Sequence, residues 1–488
     1  MNRQNSSYKQ IVRSTTIFGG VQVVNVLLGI ARTKLVALLL GKVGVGMIGI
    51  CQNIIDLIRS VSGLGIETGG IRDIASSSND AEERVYKISV FKWWVALTSI
   101  LGLVICLIFS YPISVWMFGD GSYTLPVAFL SLAVFFTTLS FGQTIVLQGM
   151  RMVGAMAKAS LIGNVISTIV SIGFYYFFGM KGIVPSFIIG SIILLLCANI
   201  YYRKLHIPKI RISNREALRK GFSNFQLGLF IVTASIINYA SMLIIRSFLN
   251  NEMDLGSVGI FQAAWIITNN YLMLILKSMG TDYFPRLCSI GDSRAQMCKL
   301  VNEQTYIVLV VAIPVVVIML LFSKVVLSLL YSGEFTSGEL LLQWQIVGSF
   351  LKVLSWPLAF IMLAKGRGKY YLFSEVLFFA VYLGASFVLF PSFGLLAAGI
   401  GYFIAYVVYL TIVFLFGVKL CHFKWTKENI MMCFIGIFFI LVAVSILRYF
   451  DNYIFIAGGA LSVIVIAYAT VMLNRVFDIR ELFNRFKK

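Results

Sequence analysis

Seven cations fall inside apolar stretches of this chain: Arg32, Lys34, Arg59, Lys92, Arg246, Lys277 and Lys352. A charged side chain at the centre of a bilayer costs ~2.5–3.5 kcal/mol on insertion scales, so such residues mark ion or substrate pathways. Lysine offers an anion a point charge, and arginine offers a planar fork that matches two phosphate oxygens at once. The carboxylates near membrane depth are fewer: Asp56, Glu67 and Glu375, with Asp282 at a helix end. Asp56 and Arg59 share one helix face at i, i+3 and can pair. The remaining cations outnumber their acidic partners, which calls for a water-lined, net-positive cavity. Such a cavity selects an anion. Arg32, Lys34, Arg59, Arg246 and Lys352 are therefore the candidate substrate-binding residues. Asp56 and Glu375 are candidate sites for proton or sodium coupling. Lys92, beside Trp93 and Trp94, reads as a snorkelling side chain in an aromatic belt, and Lys277 lies similarly near a helix end. Lys352 has no acidic neighbour along the chain, and Pro357, five residues on, is a point where its helix can break.

Apolar blocks must position these residues. Roughly fourteen of them, each about 20 residues long, repeat from end to end, the length needed to cross ~30 Å of hydrocarbon. The 488 residues are 59% hydrophobic and 12% charged, with a mean hydropathy of +0.90. Soluble domains carry about 25% charge. The expected fold is an all-α integral membrane protein. Loops on one side hold most of the cations, with Arg203, Lys204, Lys209, Arg211, Arg215, Arg219 and Lys220 in a single one. The opposite loops hold only Lys42, Lys181, Lys324 and Arg448. By the positive-inside rule the basic side is cytoplasmic, and an even number of spans puts both termini there. The polar, basic start reads as leading into an uncleaved first helix. The net charge of +20 follows from this distribution facing anionic lipid, so nucleic acid is not an expected partner.

An internal repeat divides the chain. Gly46-Met-Ile-Gly49-Ile50-Cys-Gln52 matches Gly256-Ser-Val-Gly259-Ile260-Phe-Gln262, and each opens an even-numbered span. Arg72 and Arg286 follow in equivalent loops. Six spans per half preserve orientation, giving a parallel repeat about an axis along the membrane normal. The expected domains are a six-helix bundle over 1–202, a basic cytoplasmic linker over 203–221, a second pseudo-symmetric six-helix bundle over 222–417, and two extra transmembrane helices with a basic tail over 418–488.

No enzyme signature appears: there is no P-loop, metal-ligand spacing or nucleophile elbow. His206 and His422 are isolated, and the seven cysteines show neither metal spacing nor a disulfide context. The expectation is a transporter without a cofactor. A cationic-drug exporter would need acidic cavity residues beyond Asp56. A membrane polymerase or ligase would be expected to use a sizeable outer loop, and the outer loops here are short.

Three motifs carry a resemblance. They are Arg32-Thr-Lys34 with Leu39-Leu40-Gly41 and Gly44-x-Gly46; Gly280-Thr-Asp282-Tyr-Phe-Pro285-Arg286-Leu287; and Ala364-Lys365-Gly366-Arg367-Gly-Lys369. With them the chain resembles the Wzx-type polysaccharide flippases of the multidrug/oligosaccharidyl-lipid/polysaccharide exporter superfamily. The resemblance implies a MATE- and MurJ-like pair of bundles working by alternating access in a bacterial inner membrane. It implies a lipid-linked oligosaccharide cargo, an undecaprenyl-diphosphate-linked repeat unit for O-antigen or lipopolysaccharide biosynthesis. A polysaccharide polymerase and a chain-length regulator are the implied partners besides membrane lipids. Fourteen spans exceed the twelve or so common among O-antigen translocases, which leaves lipid II or another glycan-lipid as the alternative cargo, and a drug or metabolite as a further one.

Overall fold

The computed structural model describes the backbone of all residues except 1, 64–65, 67–69, 72–73, 75–76, 78–79, 151, 209, 211, 224, 272–275, 277–278, 280–282, 285, 288–289, 291–292, 451–452 and 477–488. Side chains are described outside 2–26, 153, 219–231, 270–271 and 475–476. Lys277, Glu67, Asp282 and Arg72 lie outside the described residues.

Helix order follows the apolar blocks. α1 spans Asn2–Gly63, α2 Ala81–Ile108, α3 Ser110–Phe118, α4 Thr124–Gly149, α5 Val153–Phe178, α6 Ile183–Arg203, α7 Asn214–Ser223, α8 Phe225–Glu252 and α9 Leu255–Ile266. A π-helical turn, Ile267–Tyr271, continues α9. Then come α10 Arg294–Leu321, α11 Ser323–Leu330, α12 Glu339–Ala364, α13 Gly368–Phe393, α14 Ala397–Cys421, α15 Lys427–Tyr449 and α16 Ile454–Val476. The described residues form no strand.

Ten stretches among the described residues are long and apolar enough to cross a membrane. Three of them are over-long: Leu27–Gly63, Gly154–Arg203 and Gly368–Cys421. Each is turned at a glycine of positive φ, namely Gly41 (62°), Gly179 (55°) and Gly394 (54°). Only glycine enters that region without steric cost, so it can end one span and start the next within a few residues. Each over-long stretch is therefore two spans. α9 and its π turn enter the remaining span, which gives the fourteen expected from the sequence. The internal repeat is also visible as local geometry. Gly179 (φ 55°, ψ −133°) and Gly394 (φ 54°, ψ −132°) make the same turn in the two halves. The short helices α3 and α11 each follow a 28-residue span.

Two compact units result. The first is Met1–Gly259 with Leu330–Ser332, and the second is Ile260–Leu329 with Gly333–Lys488. In the first, α4 packs against α2 and α6, and α5 packs against α1 and α6. In the second, α14 packs against α12 and α13, while α10 packs against α12, α15 and α16. Outward faces carry Phe177, Val388 and Ile456, each more than 70% exposed. Hydrocarbon solvates such faces, and water would not.

Within the first unit a glycine from each matched motif meets the other. Gly46 on α1 and Gly259 on α9 cross so closely that a Cβ on Gly259 would overlap the Lys42 carbonyl oxygen and sit 3.1 Å from the Gly46 nitrogen. Small residues let membrane helices approach to backbone contact, where dispersion replaces the missing hydrophobic drive. Gly259→Val is expected to cost about 1–3 kcal/mol through overpacking, read as a lower melting temperature of the purified protein. Unchanged melting would mean that the helices do not cross at this glycine.

Asp254 caps α9. Its Oδ1 accepts the Ser257 backbone N–H at 2.5 Å. That bond, helped by the Lys42 charge, holds the carboxyl below the usual aspartate range. A lowered carboxyl stabilises the fold above its unfolded-state value and loses that contribution as pH falls through its folded-state value. Asp254→Ala is thus expected to cost about 1 kcal/mol at neutral pH. Melting curves of variant and wild type should converge below the ordinary aspartate value of about 3.9.

Candidate functional site

Helical spacing builds the first cluster. Gln52, Asp56 and Arg59 recur at i, i+4 and i+7 along α1 and so share a face. The Gln52 side-chain amide donates to Asp56 Oδ2 at 3.0 Å. The Arg59 guanidinium lies 3.9 Å from the centre of the Phe141 ring on α4, a cation–π contact that holds it without neutralising it. Arg246 comes from α8 and is 3% exposed. Its charge and that of Arg59 both act on the Asp56 carboxyl.

Several bonds set α8 at this depth. The Asn53 amide donates to Tyr239 O at 2.8 Å. The Ser247 hydroxyl donates to Trp116 O at 2.5 Å and the Asn250 amide to Met117 O at 2.7 Å. Trp116 and Met117 are in the last turn of α3, where carbonyls have no intrahelical partner. α8 satisfies them, and Arg246 is carried beside the anchor at Ser247. With two guanidiniums and one carboxylate, the cluster keeps a surplus positive charge suited to a phosphate or another anion. Arg32 and Lys34 are half-buried on the stretch of α1 before the Gly41 bend.

The second cluster lies in the second unit, around Lys352 on α12. Its ammonium donates to Asn269 Oδ1 at 2.6 Å and lies 5.7 Å from the centre of the Tyr406 ring. Its charge acts on Glu375 of α13, which accepts the Tyr409 hydroxyl at 2.9 Å. Asn269 is on the π turn. Such turns leave a backbone carbonyl displaced from the regular ladder and recur at functional sites. Here the Asn269 amide donates to Trp265 O at 3.3 Å, and the Thr268 hydroxyl donates to Ala264 O at 2.9 Å. Thr268 and Gln345, both fully buried, are joined at 3.2 Å. Tyr402, Tyr406 and Tyr409 share a face of α14, with ring centres 4.8 and 5.9 Å apart in succession. Phe378 closes on Tyr406 at 4.6 Å.

The structure thus groups Asp56, Arg59 and Arg246 in one place, and Lys352 with Glu375 in another. Lys92 is exposed and lies 5.1 Å from the Tyr202 ring, an interfacial setting. Asn269 was missed at the level of sequence. Its signal was the run Thr268-Asn269-Asn270, three polar residues in succession inside an apolar span. Pro357 does not break its helix, because α12 continues to Ala364. The Pro357 carbonyl accepts the Tyr283 hydroxyl at 2.9 Å.

Comparison with known proteins agrees with this architecture. The lipid III flippase of Escherichia coli (strain K12) is 24% identical over 390 residues, covering 79% of this chain and 92% of that protein. A solved structure of the lipid II flippase MurJ in an inward closed conformation superposes with a TM-score of 0.71 at 16% identity, covering 94% of this chain and 99% of that one. An inward-facing multidrug resistance MATE transporter of the MOP superfamily gives 0.70 at 16% identity, covering 81% of this chain and 94% of its own. The chain therefore has the MATE- and MurJ-like fold. The profile of the family described as polysaccharide biosynthesis protein matches residues 35–338, more than half of the sequence, so this chain, with cations set into its membrane helices, belongs to that family.

Proposed function

We propose that the chain is a flippase, and not an enzyme, that moves undecaprenyl-diphosphate-linked oligosaccharide repeat units from the cytoplasmic to the periplasmic leaflet by alternating access. The cargo in this reading is O-antigen or a related surface polysaccharide. The observation that carries it is the buried Arg246, whose charge acts with that of Arg59 on the Asp56 carboxyl. A surplus of guanidinium at membrane depth suits a diphosphate, and it is the wrong sign for a cationic drug. Arg59 and Arg246 engage the diphosphate, and Arg32, Lys34 and Lys352 engage or steer the anionic cargo. The lipid III flippase relative, matched over 92% of its length, supports a glycan-lipid cargo.

Asp56 and Glu375 are the positions we assign to proton or sodium coupling. Each faces a cation that a bound cargo would compete for. The protein acts in a bacterial inner membrane with both termini in the cytoplasm, and it supplies a polymerase and its chain-length regulator. A second reading, lipid II or another glycan-lipid as cargo, is favoured by α15 and α16. They complete fourteen spans and pack on α10, and the lipid II flippase fold covers 94% of this chain.

The test is complementation of a deletion strain with a copy in which Arg32, Lys34, Arg59, Arg246 and Lys352 are all replaced by glutamine. Loss of surface glycan, with the variant present in the membrane at wild-type level, supports the reading. Normal surface glycan would end it. Restored resistance to cationic compounds with no glycan defect would favour an exporter.

A further inference from the structure

The basic linker after the sixth span folds as α7, Asn214–Ser223. Three hydrogen bonds fix it to α2. The Trp94 indole N–H donates to Ala217 O at 2.9 Å, and the Trp93 indole N–H donates to Asn214 Oδ1 at 2.9 Å. The Tyr86 hydroxyl donates to Glu216 Oε1 at 2.5 Å. Ala217 is fully buried against this support. Arg215 is exposed, Leu218 is 45% exposed, and Ile210 just before the helix is also 45% exposed.

These facts place α7 and give its outer face a chemistry. Trp93 and Trp94 open the uncharged apolar run of α2 that follows Lys92, the kind of boundary where amphipathic rings sit at the level of the headgroups. A helix bonded to their indole nitrogens lies at that level too. Its one carboxylate, Glu216, is occupied by Tyr86. Arg215 remains, with Arg219 and Lys220 next in the sequence, beside the exposed Leu218. Cations next to an exposed leucine on a short helix at the membrane boundary fit an interfacial, lipid-facing surface.

We propose that α7 is a docking surface for anionic phospholipid headgroups, which hold the linker on the leaflet. Leu218 enters the headgroup boundary, and Arg215 gathers phosphate. This goes beyond the cargo reading and does not depend on it.

The test uses the full chain in lipid nanodiscs with a bimane fluorophore on Leu218→Cys. Brominated phosphatidylglycerol or brominated phosphatidylcholine is included at equal mole fraction. A cation near an anionic surface is worth about 1 kcal/mol, so each basic residue contributes roughly a five-fold local enrichment. Clearly stronger quenching by the brominated phosphatidylglycerol is expected. The preference should vanish when Arg215, Arg219 and Lys220 are replaced by glutamine, changes that spare the bonds to α2. Equal quenching by both lipids, or a preference that survives the triple replacement, overturns the proposal. Absence of quenching by either lipid also overturns it and points to a protein partner. Transport of glycan-lipid by the triple variant is read separately, so failure here is distinguishable from failure of the flippase reading.

Discussion

Arg246→Ala is expected to lower translocation of lipid-linked oligosaccharide at least about 30-fold, the equivalent of ~2 kcal/mol, the lower end for truncating a buried charged partner. Arg246 is 3% exposed, and its charge acts with that of Arg59 on the Asp56 carboxyl. Its loss removes one of two guanidiniums from the cluster and leaves the carboxylate with less compensation. Anion affinity should fall for both reasons. Arg246→Lys keeps the charge and loses the fork, so it should recover transport only partly. The measurement is initial translocation rate in proteoliposomes, normalised to folded protein. A wild-type rate for Arg246→Ala would remove this cluster from the pathway.

Lys352→Ala is expected to have the second large effect, first on stability. Lys352 is held by Asn269 and acts on the Glu375 carboxyl. Both side chains are half-buried, so the change deletes a hydrogen bond to a charged group, worth about 1.5–3 kcal/mol, and also leaves Glu375 with less compensation. Glu375→Gln in the same chain should restore most of that stability, and the non-additivity of the two changes measures their coupling. Transport should stay low in the double variant, since the cation is still absent. Asn269→Ala deletes one hydrogen bond to a charged group, worth about 1.5–3 kcal/mol, and should fall between wild type and Lys352→Ala. Thermal melting and transport assays on five proteins, namely wild type, Lys352→Ala, Glu375→Gln, the double variant and Asn269→Ala, decide this. Additive stabilities would mean that Lys352 and Glu375 are independent.

The two clusters differ in how far the sequence displays them. Gln52, Asp56 and Arg59 are related by helical spacing, a local property that reads directly. Arg246 stood out because a lone arginine in an apolar span has few tolerable explanations. The surroundings of Lys352 are non-local. Asn269 is 83 residues away, and Tyr406 and Glu375 belong to other helices. Nothing in the spacing near Lys352 announces them. Membrane spans were legible because hydrocarbon forces every backbone group into a helix of about the same length. The glycine turns at Gly41, Gly179 and Gly394 set where spans end. Pro357 misled because the local rule for proline is drawn from helices in general, and membrane helices tolerate proline in their interior, as this one does in running on to Ala364.

The most direct test of the flippase account is the sidedness of lipid-linked oligosaccharide in cells depleted of this protein and supplied with either the wild-type or the Arg32→Ala copy. The account predicts precursor accumulating on the cytoplasmic face, cleared by the wild-type copy and not by the variant. Unchanged precursor on both faces with unchanged surface glycan would contradict it.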